Sequence, residues 1–309
     1  MPPAVEAAVE GFDVTRRPGL GPLTEAEATA ALQEFDAVLT TLGDQFTAAA
    51  FAAAGSAPRC KILANFGVGF NHIDIAAAQA AGVAVTNTPG AVTEATADIA
   101  LTLMLMAARR AGEGERLVRS GAWQGWAPMQ LLGQQVSGKR LGILGMGRIG
   151  KAIARRGHFG FGMAVGYTNR SAVADPGVPA QAMALTDLAA WADVLVVAVP
   201  ASPATRHLID AGVLALMPAH AILVNIARGD VVEEAALIAA LSTGRIAAAG
   251  LDVYEQEPLV PQALRDLPNA VLLPHLGTAV LEVRMAMGLM ALDNLRAFAA
   301  GLPLPNRVR

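Results

Sequence analysis

The sequence predicts an α/β protein built on parallel sheets in two domains, and three observations carry that prediction. Short runs rich in Val, Ile, Leu and Ala alternate with longer alanine-rich helical segments almost throughout, as parallel strands joined by helical crossovers require. The alternation falls into two blocks, and 309 residues leave room for about two domains at roughly 100 to 200 residues each. In the second block a hydrophobic run leads straight into a glycine-rich turn and a helix, LGILGMGRIG followed by KAIARR.

In the first block, residues 36–41, 61–65 and 83–87 read as short buried strands with helices between them. In the second, the strands are 140–144, 163–168, 194–199, 221–226, 247–253 and 271–273, and six strands separated by helices fit one doubly wound sheet. Between the blocks, residues 96–119 carry a helical pattern long enough for a single helix of about 36 Å, expected to cross from one domain to the other. The last helix spans 279–300 and is stopped by Gly301 and Pro303; its Met285, Met287 and Met290 read as core filler. Cys60, the only cysteine, has no partner for a disulfide or a zinc site and is expected to be a small buried hydrophobe in a strand. There is no internal repeat.

Composition excludes several classes. Hydrophobic residues make up 54% and charged residues 16%, too apolar for a disordered chain. The 23 Lys+Arg and 26 Asp+Glu give a net charge of -3 without a basic run, so no nucleic-acid partner is expected. Mean hydropathy is positive, but the longest apolar run, 99–108, is bounded by Asp98 and Arg109 and reaches about half the roughly 20 residues of a membrane span. Residues 1–30 hold acidic residues and prolines where a secretory signal would be basic and then apolar; the protein is expected in the cytoplasm, off the membrane.

Gly145, Gly147 and Gly150 form GxGxxG. Glycines there permit a tight turn, close approach of backbone to a pyrophosphate and close helix packing, while the helix start faces the negative charge. With 31 glycines in the chain, chance alone gives about 0.3 matches, so the strand and helix flanks carry the assignment to a dinucleotide. About 20 residues on, an NAD site would place an acid on the ribose 2'-hydroxyl. This chain has Asn169, Arg170 and Ser171, and an arginine suits a 2'-phosphate, so NADP is preferred over NAD. The competing reading of Arg170 is a solvated loop residue.

Three further segments end later strands: NIARG with Arg228, DVYEQEP with Glu257 and PHLG with His275. Ligands of open α/β sheets bind outside the carboxyl ends of the strands. An arginine, a carboxylate and a histidine at consecutive strand ends beside a dinucleotide turn predict proton transfer coupled to hydride transfer. In the first block, Val68 and Gly69 lie in a glycine-rich turn after a strand, which can aim successive N–H groups at an anion; a plain turn is the competing reading. His72, beside it, reads as structural.

The motifs GVGFNHID (67–74), TNTPGAVTEATADIA (86–100), LGILGMGRIG (141–150), NIARGDVV (225–232), GLDVYEQEP (250–258) and LLPHLG (272–277) run in order over nearly the whole chain. Together they resemble the D-2-hydroxyacid dehydrogenase family, most closely its glyoxylate and hydroxypyruvate reductase branch. The resemblance implies two Rossmann-like domains: a doubly wound nucleotide-binding domain (96–278) inserted into a flavodoxin-like substrate domain made of 1–95 and the returning segment 279–309. It implies Arg228 on the substrate carboxylate and carbonyl, His275 as acid/base, Glu257 behind the histidine, and the Val68 and Gly69 amides on the carboxylate. For the cofactor it implies Gly145, Gly147, Arg148, Ile149 and Gly150 at the pyrophosphate, Asn169, Arg170 and Ser171 at the 2' position, and Thr96 and Asp252 near the nicotinamide. Val199, Pro200, Thr205, Ala227 and Gly277 complete that lining, with Arg228 and His275; no metal is expected. It also implies a homodimer formed through residues 123–129, with Trp126 reaching the neighbour's substrate.

Family members usually begin with a strand ahead of the segment that residues 2–14 match; either the start is misplaced or that strand is missing, and its loss would weaken the substrate-domain sheet but leave every expected site residue in place. The stop at Arg309 without a regulatory extension argues against a phosphoglycerate-type dehydrogenase. The expected activity is NADPH-dependent reduction of small 2-oxo acids, glyoxylate and hydroxypyruvate, to glycolate and D-glycerate. Its rivals are another D-2-hydroxyacid dehydrogenase, of phenylpyruvate or phosphoglycerate type, and a non-enzymatic dinucleotide sensor like the corepressors that share the fold. A formate dehydrogenase-like reaction is disfavoured because Glu257 stands where that branch has glutamine.

Overall fold

The computed structural model describes residues 1–19 and 21–308; Arg309, the end of the returning segment, lies outside the described residues. The chain divides into two compact units, Met1–Val92 with Ala279–Arg309, and Thr93–Thr278.

The first unit holds a parallel sheet in the order β1-β2-β3, formed by β1 (Ala37–Thr40), β2 (Ile62–Asn65) and β3 (Ala84–Thr86). Around it stand α1 (Pro3–Ala7), α2 (Glu25–Glu34), α3 (Ala48–Ala54), α4 (Ile75–Ala80) and, from the other end of the chain, α12 (Leu281–Ala299). Thr24 and Glu27 start α2 with a reciprocal capping box, satisfying N–H groups the first turn leaves open. Because strand side chains alternate, Leu63 joins Leu32, Phe46 and Phe51 on one face. Ile62 and Ala64 join Val5, Ala291 and Leu292 on the other. Cys60 is buried and its thiol is pushed up to about 11 by burial, but it precedes β2 instead of lying in a strand. Of the three methionines assigned to the core, Met287 is buried while Met285 and Met290 are only partly so.

The second unit holds seven strands, one more than expected: β4 (Arg140–Leu144), β5 (Ala164–Thr168), β6 (Ala180–Ala182), β7 (Val194–Val197), β8 (Ile222–Asn225), β9 (Ala248–Leu251) and β10 (Ala270–Leu272). All pair in parallel, in the order β10-β9-β8-β7-β4-β5-β6. The additional strand, β6, is a partly exposed edge strand and lacks the hydrophobic run that marks the others.

The single long helix is also corrected. Residues 96–119 fall in two helices, α5 (Thr93–Ala108) and α6 (Ala111–Arg119), separated at Arg110, whose φ of 51° is left-handed. The carbonyl of Ala108 accepts the N–H of Gln134 at 2.7 Å, and Arg110 pairs with Glu113 through two hydrogen bonds. Both helices belong to the second unit, so the stretch does not cross between units. The remaining helices are α7 (Arg148–Arg155), α8 (Leu185–Trp191), α9 (Ala211–Leu216), α10 (Glu234–Ser242) and α11 (Gln262–Arg265). Ile143 and Val196 pack with Leu103, Met104 and Ile153 of α5 and α7, while Leu144 and Leu195 pack with Leu188, Leu214 and Leu237 of α8, α9 and α10.

At the opposite end from the site, Asp193 ties three strand starts together. It accepts two side-chain hydrogen bonds and the backbone N–H of Arg140, and lies 2.7 Å from His220 Nε2. The order reverses between β4 and β7, so their carboxyl ends form the switch point at which such sheets bind ligands.

Candidate active site

Strand β4 delivers the glycine turn to that switch point. Gly145 has φ +103°, a conformation that L side chains rarely adopt, and a Cβ there would lie 2.7 Å from the carbonyl oxygen of Ala198. A Cβ at Gly150 would lie 2.1 Å from the Gly145 oxygen, whereas one at Gly147 meets nothing within 4 Å. The two buried glycines, Gly145 and Gly150, thus let turn and helix close, and the exposed middle one leaves room for a diphosphate at the start of α7, beside Arg148 and Ile149. The donor set fits a dinucleotide.

Asn169 links this turn to the end of β5. Its Oδ1 accepts the N–H of Met146 at 3.1 Å and its Nδ2 donates to the Ser171 carbonyl at 2.8 Å, so both ends of its side chain are engaged in shaping the loop. Arg170 is exposed and, among the described residues, forms no hydrogen bond or ion pair. After β7, Val199 packs against the Gly145 position. Thr205 Oγ1 donates to the Pro200 carbonyl and accepts the N–H of Ser202, both at 2.8 Å, closing that turn.

Three consecutive strand ends carry the predicted chemistry. At the end of β8, buried Asn225 accepts the N–H of Ala227 at 3.0 Å and donates to the Arg228 carbonyl at 2.9 Å. That brace turns the chain so that Arg228 follows. Burial pulls the Arg228 guanidinium below its ordinary pKa, against the attraction of Glu257 and Asp230. A Cβ at Gly229 would fall 1.8 Å from the Tyr254 carbonyl carbon, so the arginine loop lies directly on the loop that follows β9. In that loop the N–H of Tyr254 donates to Glu257 Oε1 at 3.0 Å, and Glu257 Oε2 lies 2.8 Å from His275 Nδ1. Burial would raise the Glu257 carboxyl, but His275, the Tyr254 N–H and Arg228 together hold it below its ordinary value.

After β10, His275 has a φ of 55°, and its N–H donates to the Asp252 carbonyl at 3.0 Å. Buried Asp252 accepts the N–H groups of Leu276 at 2.6 Å and Gly277 at 2.8 Å. Burial raises its carboxyl above the usual range despite those donors. Thr96 Oγ1 donates to the Gly277 carbonyl at 3.2 Å. Glu257 and His275 are therefore hydrogen-bonded partners that feel the charge of Arg228, with Asp252, Thr96 and Gly277 behind His275.

In the first unit, Asn65 Nδ2 donates to the carbonyls of Gly67 at 3.0 Å and Gly69 at 2.9 Å, and Asn87 Nδ2 to that of Val68 at 2.9 Å. A planar trans peptide points its N–H opposite to its carbonyl, so the amides of Val68 and Gly69 face away from the anchors holding Gly67 and Val68. Among the described residues neither N–H has a partner. His72 is buried, its Nε2 3.1 Å from Asn65 Oδ1, as a structural residue would be. Trp126 is not drawn into this machinery; it is 82% exposed in an irregular stretch.

The bracing asparagines, Asn65, Asn87 and Asn225, escape sequence reasoning, although Asn at the end of a buried strand is the signal that could find Asn65 and Asn225. Among the described residues no group of three or more His, Cys, Asp or Glu forms a metal centre, and no helix is long and apolar enough to cross a membrane.

Residues 101–277 match the D-isomer specific 2-hydroxyacid dehydrogenase, NAD binding domain. A glyoxylate reductase of Thermococcus kodakarensis is 42% identical over 310 residues, covering 98% of this chain and 92% of that protein. The crystal structure of an NADPH-dependent glyoxylate/hydroxypyruvate reductase from Sinorhizobium meliloti, in complex with NADP and malonate, superposes with a TM-score of 0.83 at 36% identity, covering 92% of this chain and 87% of that one. A glyoxylate reductase from Paecilomyes thermophila gives 0.82 at 36% identity with the same coverage. With the glycine turn at the switch point and the histidine–carboxylate pair at the strand ends, these likenesses make the chain an oxidoreductase that belongs to the D-isomer specific 2-hydroxyacid dehydrogenase family.

Proposed function

We propose that the protein is an NADP(H)-preferring reductase of small 2-oxo acids, converting glyoxylate to glycolate and hydroxypyruvate to D-glycerate. The His275–Glu257 pair carries this reading. Glu257 accepts from Nδ1, which orients the ring and leaves Nε2 to deliver a proton to the carbonyl oxygen. When bound, the reduced nicotinamide supplies the hydride that the carbonyl carbon takes up. Arg228 holds the carboxylate and stabilises charge on the carbonyl oxygen, and the N–H groups of Val68 and Gly69 are assigned as carboxylate donors.

In this assignment the second unit binds the nucleotide and the first serves the substrate. The pyrophosphate is held at Gly145, Gly147, Arg148, Ile149 and Gly150. Thr96, Asp252 and Gly277 stand near the nicotinamide, and Val199, Pro200, Thr205 and Ala227 complete the lining. Arg170 and Ser171 take the 2'-phosphate on a loop shaped by Asn169, a reading supported by the NADP-bound relative. The enzyme acts as a homodimer in the cytoplasm.

The test is a panel of 2-oxo acids assayed with NADPH and NADH. Turnover of glyoxylate and hydroxypyruvate, faster with NADPH, is the expected result. No turnover of any 2-oxo acid with either cofactor would sink the enzymatic reading, and a preference for a bulky arylpyruvate would replace the substrate.

A further inference from the structure

Two residues before Glu257, the same loop carries a second histidine–carboxylate pair that the proposed chemistry does not use. His207 Nε2 lies 2.7 Å from Glu255 Oε1, and that oxygen also accepts the backbone N–H of Glu234 at 3.1 Å. Glu255 thereby joins three segments: its own loop after β9, the turn after β7 and the start of α10. His207 is itself anchored, since its φ is 50° and its N–H donates to the Asp230 carbonyl at 2.7 Å. Gly229 packs on the backbone of Tyr254 and Glu255 from the other side.

The charged neighbours are Arg206, Asp230, Glu234 and Glu257. Arg206 Nη1 stands 3.4 Å from His207 Nδ1; a guanidinium can only donate, so Nδ1 accepts and the ring proton sits on Nε2, towards Glu255. Burial raises the Glu234 carboxyl, opposed by the N–H of Glu255 and reinforced by its charge. The two side chains are 29% and 22% exposed, which shields their bond from much of the competing water.

Resting on the reading of the site above, we infer that His207 and Glu255 are positioning residues. They pin the segment from Tyr254 to Glu257, so that the Glu257 carboxylate meets Nδ1 of His275 while the Thr205 turn keeps its place beside it. Neither acts on substrate; both act through Glu257.

Glu255→Ala and His207→Ala should each lower kcat roughly 10- to 100-fold, as a small misplacement of a reacting group does, with KM for glyoxylate and NADPH changed less than about 3-fold. The double variant should be no worse than the poorer single one, as expected of residues acting as a unit. Glu255→Gln, which keeps both accepted hydrogen bonds, should restore kcat.

A wild-type kcat in His207→Ala, or additive losses in the double variant, would overturn the inference. So would a Glu255→Gln defect as large as that of Glu255→Ala, which would mean that charge acts instead of position. Should Glu255→Ala not fold, His207→Ala alone decides, since its side chain is partly exposed. The wild-type assay with glyoxylate and NADPH comes first: failure there overturns the reading of the site, whereas normal wild-type turnover with unaffected variants overturns only the positioning role.

Discussion

His275 occupies left-handed backbone space, with a φ of 55°, which costs a residue other than glycine roughly 1 to 2 kcal/mol. Its hydrogen bonds to Asp252 and Glu257 hold the ring where that conformation aims it. His275→Ala should lower kcat by about 10²-fold or more; near wild-type turnover would remove it from the mechanism. Glu257 is held below the ordinary carboxylate value, so its pairing contributes fully above about pH 4.3 and is lost only as pH falls through its lowered value. The acid side of the activity profile should therefore survive to that range. Glu257→Gln keeps an acceptor but removes the charge, and should lower kcat about 10-fold while abolishing the acid-side fall that protonation of Glu257 causes. A kcat–pH profile unchanged by that substitution contradicts the pairing role. Arg228, Glu257 and His275 were readable because each follows a hydrophobic strand whose end has a known place in the sheet. Asn65 and Asn225 were not, because their amides serve main-chain carbonyls and N–H groups that become neighbours only after folding.

Two elements test how strand ends set behaviour. Arg170 follows β5 with its guanidinium exposed. If it meets a 2'-phosphate with a charge-assisted bond of about 1.5 to 3 kcal/mol, kcat/KM should favour NADPH by roughly 10- to 150-fold. Arg170→Ala should remove most of that preference. Asn169→Asp retains an acceptor for the Met146 N–H, repels the phosphate and should improve NADH; equal efficiency with both cofactors in the wild type would leave Arg170 pointing to solvent. At the other ends of β4, β7 and β8, burial opposes ionisation of Asp193, but Arg140 and His220 outweigh it and hold the carboxyl well below the usual range. Its contribution is thus present above the unfolded value near 4 and lost as pH falls below it. Asp193→Asn should cost on the order of 1 to 3 kcal/mol at neutral pH, and chemical denaturation should show a smaller loss of stability from pH 5 to 3 than in wild type. An equal loss would place the acid sensitivity elsewhere. The elements that escaped the sequence have local reasons: β6 is an edge strand whose Ala-Gln-Ala offers no apolar run, and the break at Arg110 has no glycine or proline. That break goes with Gln134 bonding back to Ala108, a contact between residues distant in sequence.

At the scale of the whole molecule, the residues left uncovered are as informative as the core. Val118, Trp123, Trp126, Met129 and Leu132 are each more than half exposed within one stretch, and clustered exposed apolar side chains of this kind mark interaction surfaces. A homodimer at micromolar concentration by light scattering is the expected outcome, and a monomer would refute it; Trp126→Ala should also alter the preference among 2-oxo acids. The braced turn at Val68 and Gly69 has a different consequence, for how mutations in the gene would be tolerated. A contact made by main-chain amides cannot be deleted by trimming the side chain attached to it. If those amides hold the substrate carboxylate as proposed, Val68 would look replaceable in a saturation screen, while Asn65 and Asn87, which need never meet the ligand, would score as essential. The map of mutational sensitivity would then be displaced from the contact surface to the layer behind it.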